Sequence, residues 1–219
     1  GNYSGIAVSK NTGAVSSSEV SGFAGGSGTV EDPYQVATAK QLDNIRNHLD
    51  KHFVQTADIN LGVAPWNTGE GWVPIADYKI QVRDDEFKGS YNGDIYKITG
   101  LTINSPEKPY TSLFGYNSYK GKLNNVKILN ANINGKSSCG TLVGKNEGTI
   151  NNCYATGYII GTYARTGGLV GSNSGTIDSS YATTTVDGYS YKGGLVGDNK
   201  GTILNCYATG SILSWGKAG

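Results

Sequence analysis

The 219-residue sequence has no methionine, two histidines, five prolines and three cysteines. Charged residues make up 16% of it, against roughly 25% in an ordinary globular domain, and the formal net charge is +1. That balance gives no electrostatic footprint for nucleic acid or for an anionic membrane surface. No apolar run approaches the length of a membrane span, so membrane insertion is not expected. Neither an initiator methionine nor a signal peptide is visible, and the sequence is expected to be a processed piece of a longer parent chain. Three cysteines do not make a disulfide framework.

Glycine is abundant instead, at 33 residues about twice the usual share, and it recurs in a pattern. Gly193-Gly194-Leu195-Val196-Gly197-Asp198-Asn199, followed by Gly201-Thr202-Ile203 and Cys206-Tyr207-Ala208-Thr209, has two close copies upstream. One copy runs from Gly167 through Thr183 and the other from Cys139 through Gly157, with a worn fourth copy at Leu113-Phe114-Gly115-Tyr116-Asn117. The leucines Leu113, Leu142, Leu169 and Leu195 advance by 29, 27 and 26 residues. Such a period identifies a repeat architecture.

Each unit holds short β-prone runs separated by Gly, Asn and Ser, residues that tolerate the positive φ of sharp turns. Two or three short strands in about 26 residues describe one coil of a β-solenoid, and a coil buries its apolar side chains only by stacking on its neighbours. The predicted fold is therefore all-β, a parallel β-solenoid, with a right-handed β-helix expected from the usual crossover hand. Stacking turns equivalent residues into columns. Ile150, Ile177 and Ile203 are expected as an inward ladder. Asn146, Asn173 and Asn199, with Asn117 as a fourth member, are expected to bond from coil to coil at a turn. The paired glycines are read as a corner with no room for a Cβ. Tyr154, Tyr181 and Tyr207, with Thr156, Thr183 and Thr209 two residues on, are expected to face outward, leaving Cys153, Ser180, Cys206 and the alanines inward. Cys153 and Cys206 would then lie about two strand spacings of 4.8 Å apart, beyond the ~7 Å Cα limit for a disulfide. Both read as small buried residues and Cys139 as free.

Gly168-Leu169-Val170-Gly171 and Gly194-Leu195-Val196-Gly197 carry a Gly-Leu-any-Gly signature. On these residues, over about 110–215, the chain resembles the GLUG repeat. GLUG-bearing bacterial proteins are mostly large surface or secreted adhesin-like chains, including regions beside zinc-dependent immunoglobulin A peptidases. The resemblance implies architecture and location more than any ligand.

Three regions are expected. Residues 1–22 form a linker or an extended strand along the solenoid. Residues 23–109 form an N-terminal cap and early coils, and residues 110–219 the repeat coils. Lys217-Ala218-Gly219 aligns with Lys192-Gly193-Gly194, so a further repeat is expected to begin there. Within the cap, Thr38 and Gln41 fit a capping box, and Leu42, Ile45 and Leu49 share a face. These predict a helix near 38–49 plugging the open end. A first strand is predicted over Phe53–Leu61, and Phe87–Ile103 reads as early coils. Asn104 to Tyr110 is predicted as a loop, and Val126, Ile128, Ala131 and Ile133 as strand positions.

The chemistry is sparse. His48 and His52 stand at i,i+4, but His48-Leu49-Asp50-Lys51-His52 lacks the glutamate of a zinc-peptidase motif, and the pair reads as solvated helix-end histidines. A Ser-His-Asp triad would need one of them, and no nucleophile elbow is present. A β-helix lyase or hydrolase needs clustered carboxylates. Asp178 and Asp198 sit at different points of their coils, and Asp187 is a further scattered candidate. Asp84-Asp85-Glu86 reads as a solvated loop, with calcium binding as the alternative. No metal or cofactor is expected, and no catalysis. The Thr149, Thr176, Thr202 column is thin for ice binding, and Trp66 and Trp72 read as packing. The favoured reading is a non-catalytic bacterial cell-surface or secreted solenoid segment for adhesion or display. Its ligand is expected to be a glycan or a host or cell-surface protein, bound at Tyr154, Tyr181, Tyr207, Thr156, Thr183 and Thr209. The alternatives are a carbohydrate-active β-helix domain and a ligand-free spacer.

Overall fold

One repeat shows how the chain builds its coil. It enters through the strand Val143–Asn146, turns, and continues as Thr149–Asn151. It then bends at Asn152 into a long strand, Tyr154–Gly167. The next coil repeats this with Val170–Asn173, Thr176–Asp178 and Tyr181–Gly193. Each strand pairs in parallel with its equivalent, so Val143, Val170 and Val196 fall in one column and Ile150, Ile177 and Ile203 in another. The computed structural model describes residues 22–77 and 85–213, and in it the chain is a parallel β-solenoid. Among the described residues the three sheets hold seven, four and seven strands: the first carries Thr149–Asn151 and its equivalents, the second Val143–Asn146 and its equivalents, and the third the long strands such as Tyr154–Gly167. The expected second and third short strands are not alike: the first two arms of a coil are short, but the third runs 13 or 14 residues. It stays continuous because a register shift between Gly161 and Ala164 absorbs an irregularity that would otherwise end it.

The corners divide two roles between different residues: positive φ falls to Asn and Ser, and close backbone approach to the signature glycines. At the bend from the first sheet into the third, the left-handed conformation is taken by Asn125, Asn152, Ser179 and Asn205, with φ of 56°, 50°, 48° and 52°. Asn and Ser have short polar side chains, and Asn in particular tolerates this region. The signature glycines do a different job. A Cβ on Gly167 would lie 2.0 Å from the Val170 carbonyl oxygen, and one on Gly171 would lie 2.3 Å from the Ser138 carbonyl carbon. Those glycines admit backbone, not positive φ.

At the N-terminal end the first strand is Tyr34–Val36, which pairs with His52–Gln55. The predicted single strand Phe53–Leu61 is instead two, His52–Gln55 and Ile59–Asn60, on different sheets. Between the first two strands an α-helix, Ala39–Asn44, and a 3-10 turn, Ile45–Asn47, occupy the space that strands of the other sheets fill in later coils. Thr38 caps the helix by accepting from the Gln41 N–H, and Gln41 reaches back to the Ala37 N–H rather than to that of Thr38. Leu42 and Ile45 are fully buried in the common core and close its end. The helix stops short of the predicted range, and His52 belongs to a strand. The two histidines therefore do not share a helical face. His48 packs edge-on against Phe23 at 5.5 Å, and His52 Nδ1 lies 2.9 Å from Ser90 Oγ, so both are half-buried rather than solvated.

Two further expectations change. Asn104 is the third residue of the strand Thr102–Ser105, which pairs with Lys127–Gly140, so the predicted loop begins later. Ile203 stands in register above Ile177, but it is 37% exposed, whereas Ile150 and Ile177 are fully buried. Among the described residues the last coil has no neighbour over that face. Residues 1–21, Asp84 and Lys217-Ala218-Gly219 lie outside the described residues.

Candidate functional site

Tyr154, Tyr181 and Tyr207 are carried by the third sheet in one register column. Their rings stack at 4.8 Å with interplanar angles of 1° and 4°. This spacing is the strand repeat itself. Tyr181 consequently has a ring on each face, and only ring edges and hydroxyls remain for contact. Burial, with the neighbouring tyrosines adding to it, raises the Tyr181 phenol above its ordinary range. Thr156 accepts a hydrogen bond from the Asn130 N–H at 3.0 Å, while Thr183 and Thr209 are exposed. Lys127 takes the column position below Tyr154, so among the described residues the aromatic ladder covers three coils.

The same sheet carries aromatics that the repeat pattern did not single out. Tyr158 donates to Asp187 Oδ2 at 3.1 Å. Tyr163, Tyr189 and Tyr191 are 63%, 71% and 68% exposed. They lie near the register shift, where the copies diverge in sequence, so column matching passes over them.

The asparagine column is internal. Asn117 Nδ2 donates to Asn146 Oδ1 at 2.8 Å, Asn146 to Asn173 at 2.7 Å, and Asn173 to Asn199 at 2.7 Å. Each amide also donates to a turn carbonyl, as Asn146 does to Gly148 at 3.2 Å. The chain of amides is directional, and its first acceptor, Asn117 Oδ1, has no partner. Cys153 and Cys206 are free thiols, and their sulfurs accept the backbone N–H groups of Val126 and Ser180 in the adjoining coils. Ser180 Oγ accepts the Cys153 N–H in the same way. Burial pushes the Cys153 and Cys139 thiols up to about 12.

The carboxylates do not converge. Asp178 lies on the first sheet, where hydrogen bonds from Asn205 and Ser179 hold its carboxyl below the usual range. Asp198 lies on the second sheet and pairs with Arg165 at 3.2 Å. Asp85 borders a cleft with Arg46 and Asp77. Among the described residues no three His, Cys, Asp or Glu side chains gather as a metal site. Trp72 is buried, donates to the Leu113 carbonyl at 3.2 Å, and holds Trp66 at 5.6 Å.

The outer face of the first sheet is a different surface. Asn92, Asn124 and Asn151 fall in one register column. Thr149, Thr176 and Thr202 fall in another, with Lys122 below them. At its N-terminal end this face opens into a cleft.

No family model matches the chain. A protein of Evansella cellulosilytica named as a Gly-rich membrane protein is 38% identical over 144 residues, covering 64% of this chain and 16% of that protein. Halomucin of Haloquadratum walsbyi is 33% identical over 142 residues, covering 62% of this chain and 2% of halomucin. The chain thus spans only a small part of the curated relatives it matches. No helix among the described residues is long and apolar enough to cross a membrane. In solved structures, a chain of Bacteroides ovatus named as an immunoglobulin A1 protease matches with a TM-score of 0.65 at 22% identity, over 88% of this chain and 70% of that one. At that identity the likeness is one of fold.

Proposed function

We propose that the chain is a non-catalytic β-solenoid segment of a bacterial cell-surface or secreted protein, used for adhesion or extended display. The observation that carries this reading is the pair of matches to short stretches of very long proteins, one named for a membrane and one for a mucin. A stretch recurring as 16% or 2% of a longer chain behaves as a module. The GLUG resemblance and the fold shared with a chain named as an immunoglobulin A1 protease support the same setting. A stacked solenoid gives such a chain a rigid surface at a small sequence cost. Its ligand is a glycan or a host or cell-surface protein. The third sheet offers it the hydroxyl edge of Tyr154, Tyr181 and Tyr207 beside Thr183 and Thr209. The test is a combined array of glycans and surface proteins, probed with the purified chain and with Tyr181→Ala. Binding that the variant loses supports adhesion through the tyrosine edge. No binding to any glycan or protein by either chain leaves a spacer and overturns the adhesive part of the reading.

A further inference from the structure

Five coils contribute to the cleft at the N-terminal end of the first sheet. It is an open cleft of about 420 Å³, and His52, Val54, Ser90, Asn92, Asn124 and Asn151 form its floor. Val30 and Pro33, from the loop before the first strand, form one wall. No Lys, Arg, Asp or Glu lines it.

The amides are set for a ligand. Asn92 Oδ1 is engaged twice, accepting from the Asp94 N–H at 3.0 Å and from Asn125 Nδ2 at 2.8 Å. Its Nδ2 donors are therefore turned away from those bonds. Asn125 is itself held by Asn152, whose Nδ2 donates to Asn125 Oδ1 at 2.6 Å. The side chains of Asn124 and Asn151 take no hydrogen-bond partner among the described residues. Register places the three amides on successive coils, so they span about 10 Å at the ~4.8 Å strand spacing. Each free amide supplies two donors and an acceptor, the complement of a vicinal diol. Val30 and Pro33 in the wall and Val54 in the floor add apolar surface for the C–H face of a ring. Polar side chains outnumber apolar ones in the lining, which suits a hydroxyl-rich ligand better than an apolar one. With no charged side chain in the lining, an ionic ligand finds no counter-charge there.

We infer that this asparagine-floored cleft binds a neutral oligosaccharide of two or three sugar units. The inference rests on the adhesive reading above but assigns it a site away from the tyrosine column. The experiment is calorimetric titration of the chain with neutral trisaccharides (cellotriose, mannotriose and N-acetylated chitotriose), with trigalacturonate as the charged comparator. The Asn124→Leu, Asn151→Leu double variant and Tyr181→Ala are titrated beside it. Both asparagines face outward, so the double variant should melt with the parent. The expected result is binding of a neutral trisaccharide, weakened at least tenfold in the double variant and unchanged in Tyr181→Ala. Binding that survives in the double variant, or that only Tyr181→Ala loses, overturns the assignment. Preference for trigalacturonate, or no saccharide binding at all, also overturns it. Adhesion to a protein ligand through the tyrosine edge would still be read independently on the array.

Discussion

Around Phe53 the core is filled by rings of different kinds, while around Ile177 the same side chain recurs in the coils on either side. The two sets occupy one continuous inward column: Tyr34, Phe53, Tyr91, Leu123, Ile150, Ile177 and Ile203 pair in succession. At the first end Phe53 meets Phe23 at 5.4 Å and Phe87 at 6.3 Å, and Phe87 meets Phe114 at 5.0 Å. The buried Tyr91 hydroxyl is satisfied by Gln55 Oε1 at 3.0 Å, and Gln55 in turn donates to two backbone carbonyls. These are individual contacts made once. In the later coils the same leucine, valine, isoleucine, alanine and asparagine positions do this work by repetition. An irregular end needs large, unique side chains to fill a space no neighbour repeats, whereas a repeated coil is stabilised by its fit to two copies of itself.

Ile177→Asp attacks the repeated half at its centre and carries the largest expected effect. It places an unpaired charge between Ile150 and Ile203, costing more than about 4 kcal/mol. Thermal melting by circular dichroism checks it, and a variant that melts with the parent would remove the inward ladder from the account. Phe53→Ala attacks the aromatic half and should cost about 3–5 kcal/mol. Hydrogen exchange should then show protection lost through the early coils and retained from Val143 onward, because each coil touches only its neighbours. Equal loss in both halves would mean that the stack unfolds as one unit and the contrast is false.

Asn146→Leu leaves Asn117 Nδ2 with only its long bond to the Gly121 carbonyl and Asn173 Oδ1 with only the Gly175 N–H, at about 1–3 kcal/mol by chemical denaturation. A smaller pair of changes separates space from backbone conformation. Gly171→Ala should cost about 1–3 kcal/mol through overpacking against Ser138. Asn152→Gly, at a left-handed corner, loses only the exposed hydrogen bond to Asn125 and should cost less than about 1 kcal/mol. Equal costs would mean that the close backbone approach at the signature glycines is not what fixes them. The last effect is absent at neutral pH and appears only in alkali. Burial raises the Cys153 thiol from 9.0 to about 12, so its contribution is intact below pH 9 and declines as pH rises toward 12. Cys153→Ser should flatten that alkaline decline while leaving stability at neutral pH nearly unchanged.

Much of the repeated half could be read in advance because its partners lie at a fixed offset. Ile150 meets Ile177, Asn146 meets Asn173 and Tyr154 meets Tyr181 for the same reason, and one spacing supplies all three. The histidines show where that logic fails. They read as a solvated pair at a helix end, but the chain leaves the helix at His48 and enters a strand at His52, where pairing with Ser90 outweighs a further helical turn. Tyr163, Tyr189 and Tyr191 were passed over because a register shift has no fixed offset.

The sequence by itself determined the coil, its period, the parallel stacking and the members of each column, since like residues at regular intervals can satisfy one another only by lying side by side. Tertiary structure alone decided how long the third arm runs, which tyrosine faces are consumed by neighbours, and that Val30, Val54, Asn92 and Asn151 border one cleft. Those residues lie far apart in the chain and follow no common period. Only the stacking of coils and the path of the N-terminal loop bring them together.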